Sequence, residues 1–348
     1  MAPVTSPSRV LVTGANGFIA AWIVRTFLES GYTVRGTVRS ASKGEHLKSL
    51  FAAFGERFEI VVVEDIEKDG AFDEAVKGVD LVEHTASPVT IRANDPNELI
   101  VPAVRGTIGI LESIKKHGSS VKRVVITGST AAVITGPSAE AVVLDETSWN
   151  KTAILDIEQN GANAAQLNKY RASKTLAERA VWDFYEKNKS TLDWDVVVLN
   201  PPYVFGPLIN HVSSLRALNA SNQELYDTLV EGAKDAESLA NTGTSWVDVR
   251  DVARAHVLAG EKDDAGGERI IVSAGPFYWQ EIVDAANAVA PAPLPNLLKG
   301  NPGVTKGKPH PVTFDTSKMR RILGLELRGM DVLVRDTLAS FAALEQKD

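Results

Sequence analysis

Short apolar runs alternate with longer amphipathic stretches along the first two hundred or so residues. Residues 9–13 (Arg-Val-Leu-Val-Thr) read as a strand that runs into a turn, Gly14-Ala15-Asn16-Gly17-Phe18-Ile19-Ala20. From Phe18 to Ser30 the apolar residues Ile19, Ile23, Val24, Phe27 and Leu28 recur at helical spacing. Gly31 then suits the residue just past a helix end. The same reading predicts strands over 32–38, 58–63, 79–82, 121–127 and 194–199. Helical stretches are predicted around 47–54, 71–77, 95–117 and 169–187. Residues 121–127 are apolar enough to be buried on both faces, as parallel strands are. Strands that alternate with helices in this way predict an α/β fold, a doubly wound parallel sheet of the Rossmann type.

The rhythm changes after Pro201. Residues 208–244 are polar and helix-like, without obvious strands. A helix is expected over 247–260, opened by Asp248 or Asp251, and a strand over 269–273. Residues 291–311 are rich in Pro, Gly and Lys and read as a long surface loop. The expected division is a nucleotide-binding domain of residues 9–205 and 246–275. A smaller C-terminal substrate lobe takes 206–245 and 276–345. Residues 1–8 read as a loose N-terminus rather than a signal peptide.

At 348 residues the chain is long enough for both parts. Apolar residues make up 44% and charged residues 23%, the balance of a globular protein. The formal charge of −7 argues against nucleic acid or an acidic membrane as partner, and no apolar run approaches a membrane span. There is no cysteine, which excludes disulfides and thiolate chemistry. The expected setting is cytoplasmic, with a small molecule as partner and a monomer or homodimer as the working form.

A glycine turn between strand and helix lets backbone N–H groups approach a pyrophosphate, which the helix N-terminus also attracts. Gly14 suits the tight turn, Gly17 the close approach, and Ala20 the packing of helix on sheet. Enzymes that use NAD place a carboxylate at the end of the second strand to hold the ribose hydroxyls. Here that end carries Arg39, Ser40 and Lys43 instead, and a guanidinium suits a 2′-phosphate, which favours NADP. Asp65 and Ile66 end the third strand where an adenine would lie, although Asp65 can equally cap a turn.

Tyr170 and Lys174 stand one helical turn apart, and Ser129 follows the strand at 121–127. A free phenol, with a pKa near 10, is a weak acid at neutral pH, and a nearby ammonium favours its ionised form. The three residues therefore supply a proton donor, a cation and a hydroxyl to orient a carbonyl. Tyr185 and Lys189 have the same spacing but sit in a charged helix end and read as surface. Asp248, Asp251 and His256 invite a metal, yet aspartates opening a helix are better explained as caps, and no metal is expected.

The chain resembles the extended short-chain dehydrogenases/reductases, in particular fungal carbonyl reductases of the methylglyoxal and isovaleraldehyde reductase type, relatives of the plant dihydroflavonol reductases. The matching segments are the glycine turn, Asp145-Glu146-Thr147-Ser148-Trp149-Asn150, the Tyr170 stretch, Asn200-Pro201-Pro202-Tyr203-Val204-Phe205-Gly206-Pro207, and residues 246–256. The resemblance spans residues 9–345. It implies NADPH held by Gly14, Asn16, Gly17, Phe18, Ile19, Arg39, Ser40, Lys43, Asp65 and Ile66. Ala86, Ser87, Tyr170, Lys174, Pro201 and Val204 would lie toward the nicotinamide end. It also implies Ser129, Tyr170 and Lys174 as the catalytic three, with pocket walls at Ser87, Val89, Ile134, Leu167 and Tyr203. One departure is Gly128, in Thr127-Gly128-Ser129, where relatives usually carry Thr-Ser-Ser; its expected effect is to loosen the strand end. The expected activity is NADPH-dependent reduction of aldehydes and ketones, α-keto carbonyl compounds included. A reductase dedicated to one bulky substrate (dihydroflavonol or acyl-thioester type), or a non-catalytic NADP-sensing protein, are the alternatives.

Overall fold

The computed structural model describes residues 4–87, 93–136 and 140–346. Seven parallel strands form the main sheet: β1 (Arg9–Val12), β2 (Thr33–Val38), β3 (Phe58–Val62), β4 (Leu81–His84), β5 (Arg123–Thr127), β7 (Asp195–Asn200) and β10 (Arg269–Ile271). Their order is β10-β7-β5-β4-β1-β2-β3. The sequence order reverses between β4 and β1, and ligands in such sheets bind beyond the strand C-termini at that reversal.

Side-chain alternation along the strands feeds two cores. Val10, Val12, Val125 and Val197 face α1 (Phe18–Glu29) and α8 (Val249–Glu261). Leu11, Val124, Ile126, Val196 and Val198 face the opposite layer, where α3 (Asn97–His117) packs on α5 (Gln166–Asn188). The short helix α2 (Ala41–Leu50) follows β2. At the lower edge Arg123 and Asp195 pair across β5 and β7 through two bonds of 2.6 and 2.8 Å, buried from solvent. Arg123 also donates to the carbonyls of Ala259 and Lys262 at the end of α8.

A second, three-stranded sheet joins β8 (Tyr203–Phe205), β9 (Gly243–Asp248) and β11 (Gly275–Tyr278). With α6 (Ala220–Leu229), α7 (Ala236–Asn241), α9 (Trp279–Asn287) and α11 (Met330–Glu345) it encloses a core that includes Phe205, Trp246, Phe277, Trp279 and Phe341. A two-stranded pair, β6 (Val142–Leu144) with β12 (Val312–Phe314), and the helices α4 (Lys151–Asn160) and α10 (Ser317–Leu323) complete the described elements.

Several expectations are corrected. Residues 71–77 are turns, not a helix, bracketed by Gly70 and Gly78 at positive φ. The fourth strand begins at Leu81 rather than 79. The polar stretch before Trp246 ends in a strand, β9, which continues to Asp248 and takes the first residues assigned to the following helix. Of the two possible caps, Asp248 accepts the Arg250 N–H at 2.8 Å, while Asp251 holds Arg328.

Candidate active site

The glycine turn lies at the C-terminal end of β1. Gly14 has φ +64°, and a Cβ there would stand 3.2 Å from the Ala86 backbone. Only glycine relieves both demands at once. The turn is closed by Gly17 N–H to Gly14 O at 2.9 Å. Gly17 then caps α1 without any side-chain bond, and the first turn of that helix holds no acidic residue. Its leading N–H groups are therefore available to an anion. Asn16 is half-buried and Gly17 exposed over this end, with Phe18 buried and Ile19 partly so behind them.

Thr13 ties the turn to the end of β4. Its hydroxyl accepts the Thr85 and Ala86 N–H groups at 3.1 and 3.0 Å and so donates to His84 Nδ1 at 3.0 Å. That holds Ala86 and Ser87 against the turn. Burial, and next the Lys174 charge, push His84 down to about 3, so its ring is neutral. In a neighbouring pair, Glu83 and His256 at 2.6 Å, burial favours the neutral form of each partner, driving the carboxyl well up and the imidazole down to about 3. His256 also contacts the Thr127 hydroxyl at 3.1 Å, a packing role between α8 and β5.

Beyond β2, Arg39 and Lys43 are exposed and form no ion pair among the described residues. Ser40 opens α2 without capping it and instead meets the Ser42 hydroxyl at 3.0 Å. A dinucleotide bearing a 2′-phosphate fits this end, which offers two free cations, a hydroxyl and no carboxylate in the strand. Asp65 accepts the Glu67 N–H at 2.9 Å, the turn-capping geometry, and Ile66 packs where α3 has Gly106.

Ser129 follows β5 and opens a short 3-10 turn. Its Oγ accepts the Ala131 N–H at 3.1 Å, which leaves its proton to be donated. Burial raises the Tyr170 phenol, and a hydrogen bond with the Ser129 side chain pulls it back. Lys174 lies 5.9 Å from the centre of the Tyr170 ring and donates to Ser87 Oγ at 3.0 Å. Burial draws its ammonium down to about 8. The Ser129 hydrogen bond therefore offsets part of the burial at the phenol.

Pro201 and Val204 are buried close by, and the Pro201 carbonyl accepts the Thr130 N–H at 3.0 Å. Tyr203 is near enough to Tyr170 for the two to interact electrostatically, and its phenol is pushed up by burial and by its hydrogen-bond partner Glu224. Ile134 is partly buried, Leu167 is 48% exposed, and Val89 lies outside the described residues. The other tyrosine–lysine pair is apart from all of this: Lys189 is paired with Glu186 on the surface, and Tyr185 leans on Trp194. A separate hollow of about 440 Å3, lined in part by Arg216, Gln223, Asp227 and Glu231, includes none of the expected residues. Among the described residues no group of carboxylates and histidines is arranged to hold a metal, and no helix is long and apolar enough to cross a membrane.

The family described as NAD dependent epimerase/dehydratase matches residues 10–275. The ketoreductase azaE of Aspergillus niger is 41% identical over 344 residues, covering 97% of this chain and 98% of the other. The NADPH-dependent methylglyoxal reductase GRE2 of Saccharomyces cerevisiae is 36% identical over 347 residues, with 97% and 98% covered. The crystal structure of yeast methylglyoxal/isovaleraldehyde reductase Gre2 complexed with NADPH superposes with a TM-score of 0.86 at 35% identity, over 98% of this chain and 100% of that one.

Proposed function

The chain belongs to the NAD dependent epimerase/dehydratase family, and we propose that within it the protein is an NADPH-dependent reductase of aldehydes and ketones, α-keto carbonyl compounds among them. The observation that carries this reading is the meeting of Ser129, Tyr170 and Lys174 at the sheet's C-terminal edge, beside the uncapped start of α1. The likeness to an A. niger ketoreductase and to a yeast NADPH-dependent reductase supports both the reaction class and the cofactor. Gly14, Asn16, Gly17 and the first N–H groups of α1 would hold its pyrophosphate. Arg39, Ser40 and Lys43 would hold its 2′-phosphate.

When bound, the reduced nicotinamide supplies a hydride for the carbonyl carbon. Ser129 donates a hydrogen bond to the carbonyl oxygen and steadies the negative charge that grows there. Tyr170 gives that oxygen its phenolic proton, so the product is an alcohol and the residue is left as a phenolate. The Lys174 ammonium, one turn along α5, stabilises this phenolate, which then recovers a proton from solvent. Tyr203, Ile134, Leu167 and Ser87 line the approach. The lobe of residues 206–245 and 276–345 sets which carbonyl compounds enter.

Tyr170→Phe tests the reading. Turnover should fall by about 10²- to 10⁴-fold, the usual worth of a positioned acid, while NADPH affinity stays near that of the parent. Near-normal turnover would overturn the mechanism. A panel of small and bulky carbonyl substrates, run with NADPH and NADH, tests the substrate class. Activity confined to one bulky thioester or flavonoid-type compound would replace it.

A further inference from the structure

Gly128 was expected to loosen the end of β5, yet its surroundings are crowded. A Cβ at this position would stand 2.3 Å from Asn200 Oδ1 and 3.0 Å from Val198 Cγ1. The space that a side chain would take is occupied by the amide of Asn200, the last residue of β7. Asn200 is fully buried. Its Oδ1 accepts the Ser129 N–H at 2.7 Å, and its Nδ2 donates to Glu178 Oε1 at 3.3 Å.

Glu178 shares a face of α5 with Tyr170 and Lys174, at successive steps of four residues. Arg269 of β10 fixes its carboxylate, with Nε 2.5 Å from Oε1. The guanidinium is braced in turn by the Glu146 and Ser148 carbonyls at 2.8 and 2.6 Å and lies 3.8 Å above the Trp149 ring. One amide thus connects the serine-bearing turn to the tyrosine-bearing helix. The position needs an acceptor toward Ser129 and a donor toward Glu178, which an asparagine supplies and an aspartate does not.

We propose that Asn200 is a positioning residue for Ser129, anchored through Glu178 to the helix of Tyr170, and that glycine at 128 is the condition for its reach. The proposal rests on the catalytic part given above to Ser129. Asn200 aims the hydroxyl and does not touch substrate. Its removal frees the serine turn to drift relative to the phenol, and a misplacement of about 1 Å is enough to cost on the order of 10²-fold in rate.

The test compares Asn200→Ala, Gly128→Ala and Ser129→Ala, each singly, and Asn200→Ala within Ser129→Ala. Asn200→Ala should lower kcat about 10- to 100-fold, with KM and NADPH affinity changed less than about twofold. In alcohol oxidation, where Tyr170 must be ionised to take the proton, the acid limb of its kcat profile should move to higher pH, because the serine no longer draws the phenol down. Within Ser129→Ala the same substitution should cost less than about twofold, since its effect passes through the missing hydroxyl. A full multiplicative loss there would mark a merely structural role and overturn the proposal. So would unchanged kcat in Asn200→Ala beside an inactive Ser129→Ala; an active Ser129→Ala would instead sink the catalytic reading beneath it. Should Asn200→Ala fail to fold, Gly128→Ala carries the test: its Cβ displaces the amide, and unchanged kcat would overturn the proposal equally.

Discussion

In the proposed mechanism Lys174 sets chemistry against stability. Burial brings its ammonium from the usual lysine range down to about 8, so at neutral pH the fold carries a charge that it would rather shed. The unfolded chain keeps an ordinary lysine near 10.4. Below about pH 8 both states hold the proton and the cost is present in full. Between about 8 and 10.4 the unfolded chain binds more protons, so native stability rises with pH. Lys174→Met should therefore stabilise the fold at pH 7 by roughly 1–3 kcal/mol, for a side chain that keeps part of its surface open, and so raise the melting temperature. That gain should shrink at pH 10, and carbonyl reduction should fall at least about 100-fold at any pH. Thermal melts at the two pH values check the sign; a variant that melts lower at pH 7 refutes it. Arg39 gives a second prediction at this scale. Arg39→Ser should raise the Kd for NADPH about tenfold, the worth of one charge-assisted bond, and leave that for NADH nearly unchanged. Equal loss for both, by fluorescence titration, would remove the 2′-phosphate reading. Tyr170, Lys174, Ser129 and the glycine turn were legible because their spacing is local, a helical turn or a strand end. Asn200, Glu178 and His84 were not, since their partners lie across strands 22 to more than 70 residues away.

Elements were legible in proportion to how continuous their pattern is. β5 and β7 are nearly unbroken apolar runs, and α1 and α3 repeat over many turns. β9 hid because it opens Gly243-Thr244-Ser245 and passes into α8 with no loop between, so neither period is completed before the other begins. β6, β8 and β12 have three residues each, too few to show alternation. Phe72 and Val76 mimic a helix by their spacing, but they are only the buried corners of consecutive turns. Arg123 marks where two strands and a helix are locked together. It aligns β5 with β7 through Asp195 and takes up carbonyls at the end of α8. Arg123→Ala would leave the buried Asp195 carboxylate without its guanidinium, a loss of about 3–5 kcal/mol. Urea unfolding should show a lower midpoint at unchanged slope. A change below about 1 kcal/mol would mean that the pair is replaceable by solvent.

At the scale of the whole molecule, the main sheet and the part built on the three-stranded sheet are stitched at three places with almost no slack. Only Pro201 and Pro202 separate β7 from β8, β9 abuts α8 directly, and Val272 to Ala274 bridge β10 and β11. Val204 and Val247, from strands β8 and β9 of the three-stranded sheet, also belong to the core between the main sheet, α1 and α8. Neither part can lose its strands without pulling on the other's core, so the two should unfold as one cooperative unit. The six tryptophans report on both parts, with Trp246 and Trp279 in the core beside the three-stranded sheet and Trp194 against the main sheet. Fluorescence and far-ultraviolet circular dichroism should give coincident transitions. NADPH at about a thousand times its Kd should raise that single transition by the roughly 4 kcal/mol that saturation contributes, although its phosphates would be held by the main sheet's side alone. A lobe that melted earlier, and whose transition ignored the nucleotide, would mean that the substrate walls are set independently of the cofactor's cradle. Coincident transitions that rise together would mean instead that binding the nucleotide also firms β8, the strand of Tyr203 and Val204.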